Sequence, residues 1–165
     1  MDILKLLRKD HDEIRELFAK LENMDNDNVA DVEDTFSELR SALINHAKAE
    51  EFSLYARIEE VGETRKYALE GLQEHDVTEY LLSKLYGMPI DDWENWNASV
   101  KVLKEVVEHH LHQEEKVVFK AVKKEFSLVE REEMAIKFQD QKHSQLVSAP
   151  KLTKYKVYEE FKSQI

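Results

Sequence analysis

The chain has 165 residues, enough for one domain with a sizeable core, and 42% of them are apolar. Its formal net charge is -11 and it has no cysteine. Those two facts exclude disulfides, thiolate metal sites, iron–sulfur clusters and cysteine nucleophiles, and they speak against nucleic acid, which needs clustered Lys and Arg. With three glycines and two prolines, phosphate-cradling glycine loops are absent and long helices are favoured. No apolar run is long enough to span a bilayer and the N-terminus lacks a signal-peptide core, so a soluble, cytoplasmic protein without a membrane partner is expected.

In chain order, the first predicted helix carries Ile3, Leu7, His11, Ile14, Phe18 and Leu21 at three- and four-residue steps, which define one helical face. The polar run from Asp25 to Asn28 breaks that pattern and can cap the next helix. This second helix carries Val32, Phe36, Leu39, Leu43, His46, Glu50 and Leu54, and Gly62 is expected to end it. A third, from about Glu63 to Tyr86, carries Ala68, Leu72, His75, Glu79, Leu82 and Tyr86 on one stripe. Gly71 inside it costs about 1 kcal/mol relative to alanine. Asp91 and Glu94 read as a capping box for a fourth helix. Its stripe is Leu103, Val107, His110 and Glu114, then Val117 or Val118, then Ala121, and it stops near Phe126.

Four long helices with short connections predict an all-α fold. The expected form is an up-down-up-down antiparallel four-helix bundle over residues 1–126, with a C-terminal helical extension over 127–165. Ser127 and Glu130 form another capping box, opening a helix from about Leu128 to Lys142, and a shorter helix from Leu152 to Lys162 comes after Pro150. The apolar residues Val129, Met134, Ile136, Phe138, Tyr155, Tyr158 and Phe161 of this extension need cover. They can pack on the bundle, close a channel or form a homodimer contact; packing on the bundle is expected.

The chain also repeats itself. His11 and His46 are 35 residues apart, as are His75 and His110, and the pairs His11/His75, His46/His110 and Glu50/Glu114 are each 64 apart. The shared pattern is His-Asp, a gap, then His-x-x-x-Glu-Glu, with an aromatic residue beyond it at Tyr55 and Phe119. The repeat implies two helical hairpins of one design, neither of which buries its stripe alone. Among His109, His110 and His112, only His110 has both the register and the glutamate.

Six side chains therefore sit on core-facing stripes: His11, His46, Glu50, His75, His110 and Glu114. A lone core histidine is more often a packing residue. Six such groups on four stripes in a twofold repeat point to metal, because an unpaired buried carboxylate costs several kcal/mol. Nitrogen and oxygen donors without sulfur suit iron or manganese, with zinc as a further option. Two glutamates bridging two ions give each ion two imidazoles and two carboxylate oxygens, leaving open positions for oxygen, peroxide or nitric oxide. Glu51 and Glu115 lie about 100° around the helix from the ligand glutamates; they either orient imidazoles or form a solvated face. Tyr55, Tyr80 and Tyr86 read as core or boundary aromatics.

The motif His11-Asp12, His46-x-x-x-Glu50-Glu51, His75-Asp76, His110-x-x-x-Glu114-Glu115 resembles the hemerythrin-like, HHE cation-binding family. The resemblance covers residues 1 to about 126. It implies a four-helix bundle holding two non-haem iron ions through those six residues, and a protein that binds or senses O2, NO or peroxide in oxygen, redox or iron response. A metal- and oxygen-binding protein is expected rather than a dedicated enzyme. The alternatives are a di-iron enzyme with peroxidase- or nitric-oxide-directed activity, and a metal-free helical interaction module. One departure lies on the third helix. Oxygen-carrying members place a second histidine four residues after the first, where this chain has Glu79, read here as an optional further oxygen ligand. That change weighs against simple oxygen storage.

Overall fold

The computed structural model describes residues 1–148, with side chains through residue 144. The helix expected over Leu152–Lys162, with Pro150, Tyr155, Tyr158 and Phe161, lies outside the described residues. Within them every regular element is helical. Helix α1 spans Ile3–Glu22, and Asp2 caps it by accepting the Leu4 N–H at 3.0 Å. Helix α2 spans Val29–Glu50 and runs on through a π-helical turn, Glu51–Tyr55, into a last α-turn, Ala56–Ile58. Helix α3 spans Arg65–Gly87. Helix α4 spans Trp93–Gln113 and continues through a second π-helical turn, Glu114–Val118, into Phe119–Glu125. Helix α5 spans Leu128–Ser148.

The three–four stripes of α1 and α2 are buried as their spacing predicts, from Ile3 to Leu21 and from Val32 to Leu54. Helix α1 packs along α2, α3 along α4, and α5 lies against α1, α2 and the first π-turn. The apolar interior is split in two. One cluster joins Ile14, Phe18, Phe36, Leu82, Trp96 and Leu103, and the other joins Leu7, Leu54, Tyr55, Phe119, Phe126 and Phe138. Between them lies the layer that holds the histidines.

Several local expectations shift for identifiable reasons. A π-turn takes one residue more than an α-turn, so the buried stripe slips by one beyond it. Val118 and Val122 are therefore buried, whereas Val117 is exposed. Helix α2 ends at Ile58, short of Gly62, and no described residue has a positive φ, so Gly62 does not serve as a left-handed cap. Asp92, rather than Asp91, precedes the first residue of α4. The Ser127 box forms as expected: Ser127 N–H donates to Glu130 Oε2 at 2.8 Å, and Glu130 N–H donates to Ser127 Oγ at 3.3 Å. On α5, Met134 and Phe138 are buried, but Val129 and Ile136 face outward. No helix among the described residues is long and apolar enough to cross a membrane.

Candidate metal centre

The sequence puts His11 mid-way along α1, His46 and Glu50 in the last turn of α2, His75 mid-way along α3, and His110 and Glu114 where α4 meets its π-turn. All six are buried. They gather into two groups of donor atoms, His11, His46 and Glu114 in one and Glu50, His75 and His110 in the other, with the atoms of each group within 4.8 Å of one another. The glutamates tie the groups together. Glu114 Oε2 lies 3.3 Å from His11 Nε2 and 3.7 Å from His110 Nε2, and Glu50 Oε2 lies 3.4 Å from His75 Nε2 and 3.7 Å from His46 Nε2. Each carboxylate thus spans an imidazole from each group.

Every imidazole is steered from behind by a carboxylate. His11 Nδ1 donates to Glu115 at 2.8 Å, His75 Nδ1 to Glu51 at 3.0 Å, His46 Nδ1 to Asp10 at 3.3 Å and His110 Nδ1 to Glu74 at 2.6 Å. An ionised carboxylate only accepts, so each ring carries its proton on Nδ1 and turns the Nε2 lone pair inward. The partners obey the 64-residue repeat: Glu51 matches Glu115, and Asp10 matches Glu74. Glu51 and Glu115 therefore orient imidazoles. Asp10 and Glu74 escaped sequence reasoning, although their signal was present, since each directly precedes a motif histidine.

The inward-facing atoms fit a cation and little else. His11 Nε2, His46 Nε2, both Glu50 oxygens and Glu114 Oε2 are buried without a hydrogen-bond partner. His75 Nε2 and His110 Nε2 face each other at 3.2 Å, two lone pairs in contact once both Nδ1 atoms carry the protons. Lone pairs and carboxylates left unpaired in an apolar interior cost several kcal/mol, and a bound cation removes that cost.

The electrostatics agree. Burial and the neighbouring Glu114 push the Glu50 carboxyl well above the usual carboxylate range. Burial would raise Glu114 too, but His110 and His11 outweigh it and hold Glu114 well below that range. Burial pushes His46 down to about 4 against the pull of Asp10. For His11 and His110 burial is outweighed by Glu114 and by their carboxylate partners, and both are raised. Burial and Glu114 thus favour the protonated form of Glu50, and a cation competes with that proton. Calorimetric metal titrations at pH 7 in buffers of different ionisation enthalpy are expected to show net proton release, and affinity is expected to fall as pH drops. Heats independent of the buffer would contradict the arrangement.

Aromatic rings wall the layer. Tyr55 stacks on His75 with centroids 5.4 Å apart, and its repeat counterpart Phe119 stacks on His11 at 6.0 Å. The two differ by a hydroxyl: Tyr55 O–H donates to Glu114 Oε1 at 2.7 Å. Burial, with Glu114 and Glu50 nearby, pushes that phenol well above its usual value and keeps it a donor. Helix α3 accommodates it through Gly71, where a Cβ would overlap the Tyr55 hydroxyl.

Glu79 does not join the cluster. Its side chain is 57% exposed and pairs with Lys48 at 3.7 Å. The same four-residue step carries Glu50 and Glu114 inward, but Glu79 instead lines the α2–α3 cleft beside Lys48. His109, His112 and His143 are not buried.

A helical bundle crossed by a buried layer of imidazoles and carboxylates carries the donors that a cation-binding bundle needs. The family model for the hemerythrin HHE cation-binding domain matches residues 2–122, and the chain belongs to that family. A curated relative, named DNA nickase, from Nostoc sp. (strain PCC 7120), is 27% identical over 141 residues, covering 84% of this chain and 38% of that protein. The chain thus spans well under half of that relative's length. No solved structure matches.

Proposed function

We propose that residues 1–126 form an up-down-up-down bundle that binds two non-haem iron ions and uses them to bind or sense O2, NO or peroxide in oxygen, redox or iron response. The observation that carries this reading is the convergence of six buried donors, each imidazole set to its Nδ1–H tautomer and each glutamate reaching both groups. His11 and His46 would hold one ion, His75 and His110 the other, with Glu50 and Glu114 bridging. The donor set favours iron, with manganese or zinc as alternatives. When bound, paired iron supplies one-electron redox chemistry and open positions for a small ligand.

The protein's own part is to position and to exclude water. The carboxylates Asp10, Glu51, Glu74 and Glu115 fix the rings, and such supporting hydrogen bonds commonly govern metal affinity by about 10–100-fold. The two apolar clusters keep bulk water from both ends of the layer. With Glu79 turned outward, no additional side chain among the described residues fills the position where the family's oxygen carriers place a further histidine, which favours sensing over storage. One observation supports a second reading, an enzyme acting on peroxide or nitric oxide: the Tyr55 hydroxyl is a proton donor inside the centre. The relative's name concerns DNA, but a net charge of -11 opposes contact with a phosphate backbone.

Anaerobic reduction of the iron-loaded protein followed by air tests the proposal. Rapid oxidation, seen as growth of a near-ultraviolet and visible band that vacuum does not reverse, is expected. A stable adduct released under vacuum would mean oxygen carriage instead, and absence of any spectral change would overturn the redox reading.

A further inference from the structure

What braces the four steering carboxylates differs from one to the next. Glu115 is held by Arg15 at 2.9 Å and Arg8 at 3.7 Å, and Glu51 by Lys48 at 3.4 Å. These cations all fall within the residues that the family model matches. Asp10 is braced from elsewhere: its Oδ2 accepts from Lys142 Nζ at 2.6 Å, and Lys142 stands on α5, beyond the matched residues. One turn earlier on α5, the buried Phe138 ring stands edge-on to His46, with centroids 6.2 Å apart and planes at 74°. Lys142 Nζ in turn lies 5.6 Å from the Phe138 ring centroid. Helix α5 therefore grips His46 twice, directly through a phenyl ring and indirectly through Asp10.

We infer that α5 is a working part of the metal centre, with Lys142 as a positioning residue that acts through Asp10 to keep His46 Nε2 aimed at the cation. This rests on the metal-binding reading. The Asp10 oxygen is shared between the Lys142 ammonium and the His46 Nδ1–H, and at 3.3 Å the His46 contact is the longest of the four. It is the anchor that most needs its carboxylate fixed. Without the ammonium, Asp10 can turn toward solvent, and nothing then selects the His46 tautomer. The second repeat has no equivalent brace from the described part of α5. Glu74, the counterpart of Asp10, has His109 at 3.8 Å, and that ring is 75% exposed. The dependence on α5 therefore falls on the group of His11, His46 and Glu114, so that docking of α5 sets the affinity of one ion ahead of the other.

The test uses the full chain with Lys142→Ala, Lys142→Arg and, as a control, Lys104→Ala, which breaks an ion pair to Glu22 away from the centre. Anaerobic titration with ferrous iron is expected to show one of two ions weakened in Lys142→Ala by about 10–100-fold, with affinity restored by Lys142→Arg and unaltered in Lys104→Ala. A second readout needs no metal. Nitrogen-15 NMR of the metal-free protein is expected to show His46 as the Nδ1–H tautomer in wild type and Lys142→Arg, and as a mixture in Lys142→Ala. Wild type that takes up no iron would sink the metal-binding reading, while the tautomer would still decide the role of α5. An unchanged His46 tautomer in Lys142→Ala overturns the inference, and so does equal weakening of both ions.

Discussion

Replacing Glu50 and Glu114 together by alanine is expected to lower bound iron by about tenfold or more, since removing even a group that only supports a ligand costs about 10–100-fold. Each carboxylate stands between imidazoles of both groups, so its loss removes a donor from each ion at once. Iron content by mass spectrometry checks this, and unchanged iron would refute the bridging roles.

The second large effect is expected at Gly71. In an exposed helix, glycine to alanine stabilises by about 1 kcal/mol. Here the new methyl overlaps the Tyr55 hydroxyl. Tyr55 is 2% exposed, stacked on His75 and bonded to Glu114, so it has nowhere to move. Overpacking costs about 1–3 kcal/mol, and a lost hydrogen bond to a charged group about 1.5–3 kcal/mol. Gly71→Ala is therefore expected to destabilise by about 1.5–5 kcal/mol net, a fall of several degrees in thermal midpoint by the usual scaling. It is also expected to shift the spectrum of the iron-loaded protein in the same direction as Tyr55→Phe. A variant as stable as wild type, with an unshifted spectrum, would remove Tyr55 from the centre.

The helical class and the burial of the six candidate donors are legible because they depend on local periodicity. A histidine or glutamate in phase with Leu7, Ile14, Leu43 or Val107 must face the same interior as its neighbours. The 64-residue repeat then selects His110 over His109 and His112. What periodicity cannot reach is anything set by a partner on another helix. The slip at Val118 arises from a π-turn that begins at Glu114. Glu79 shares a nominal stripe with His75, yet its side chain is exposed and paired with Lys48 from α2. Gly71 looks like a mild helix defect until Tyr55 arrives from α2. The Lys142–Asp10 bond joins residues 132 apart, and no spacing rule announces it. Asp10 and Glu74 were within reach, because they sit at matching places in the two repeats.

Anomalous diffraction at the iron edge, on crystals of protein grown with iron, tests the central claim most directly. Two peaks are expected inside the bundle, about 3.5–4 Å apart as in other two-metal sites. One should lie against His11 and His46, the other against His75 and His110, with Glu50 and Glu114 between them. A single peak at the exposed His109 or His112, or none within reach of the six buried donors, would contradict the account.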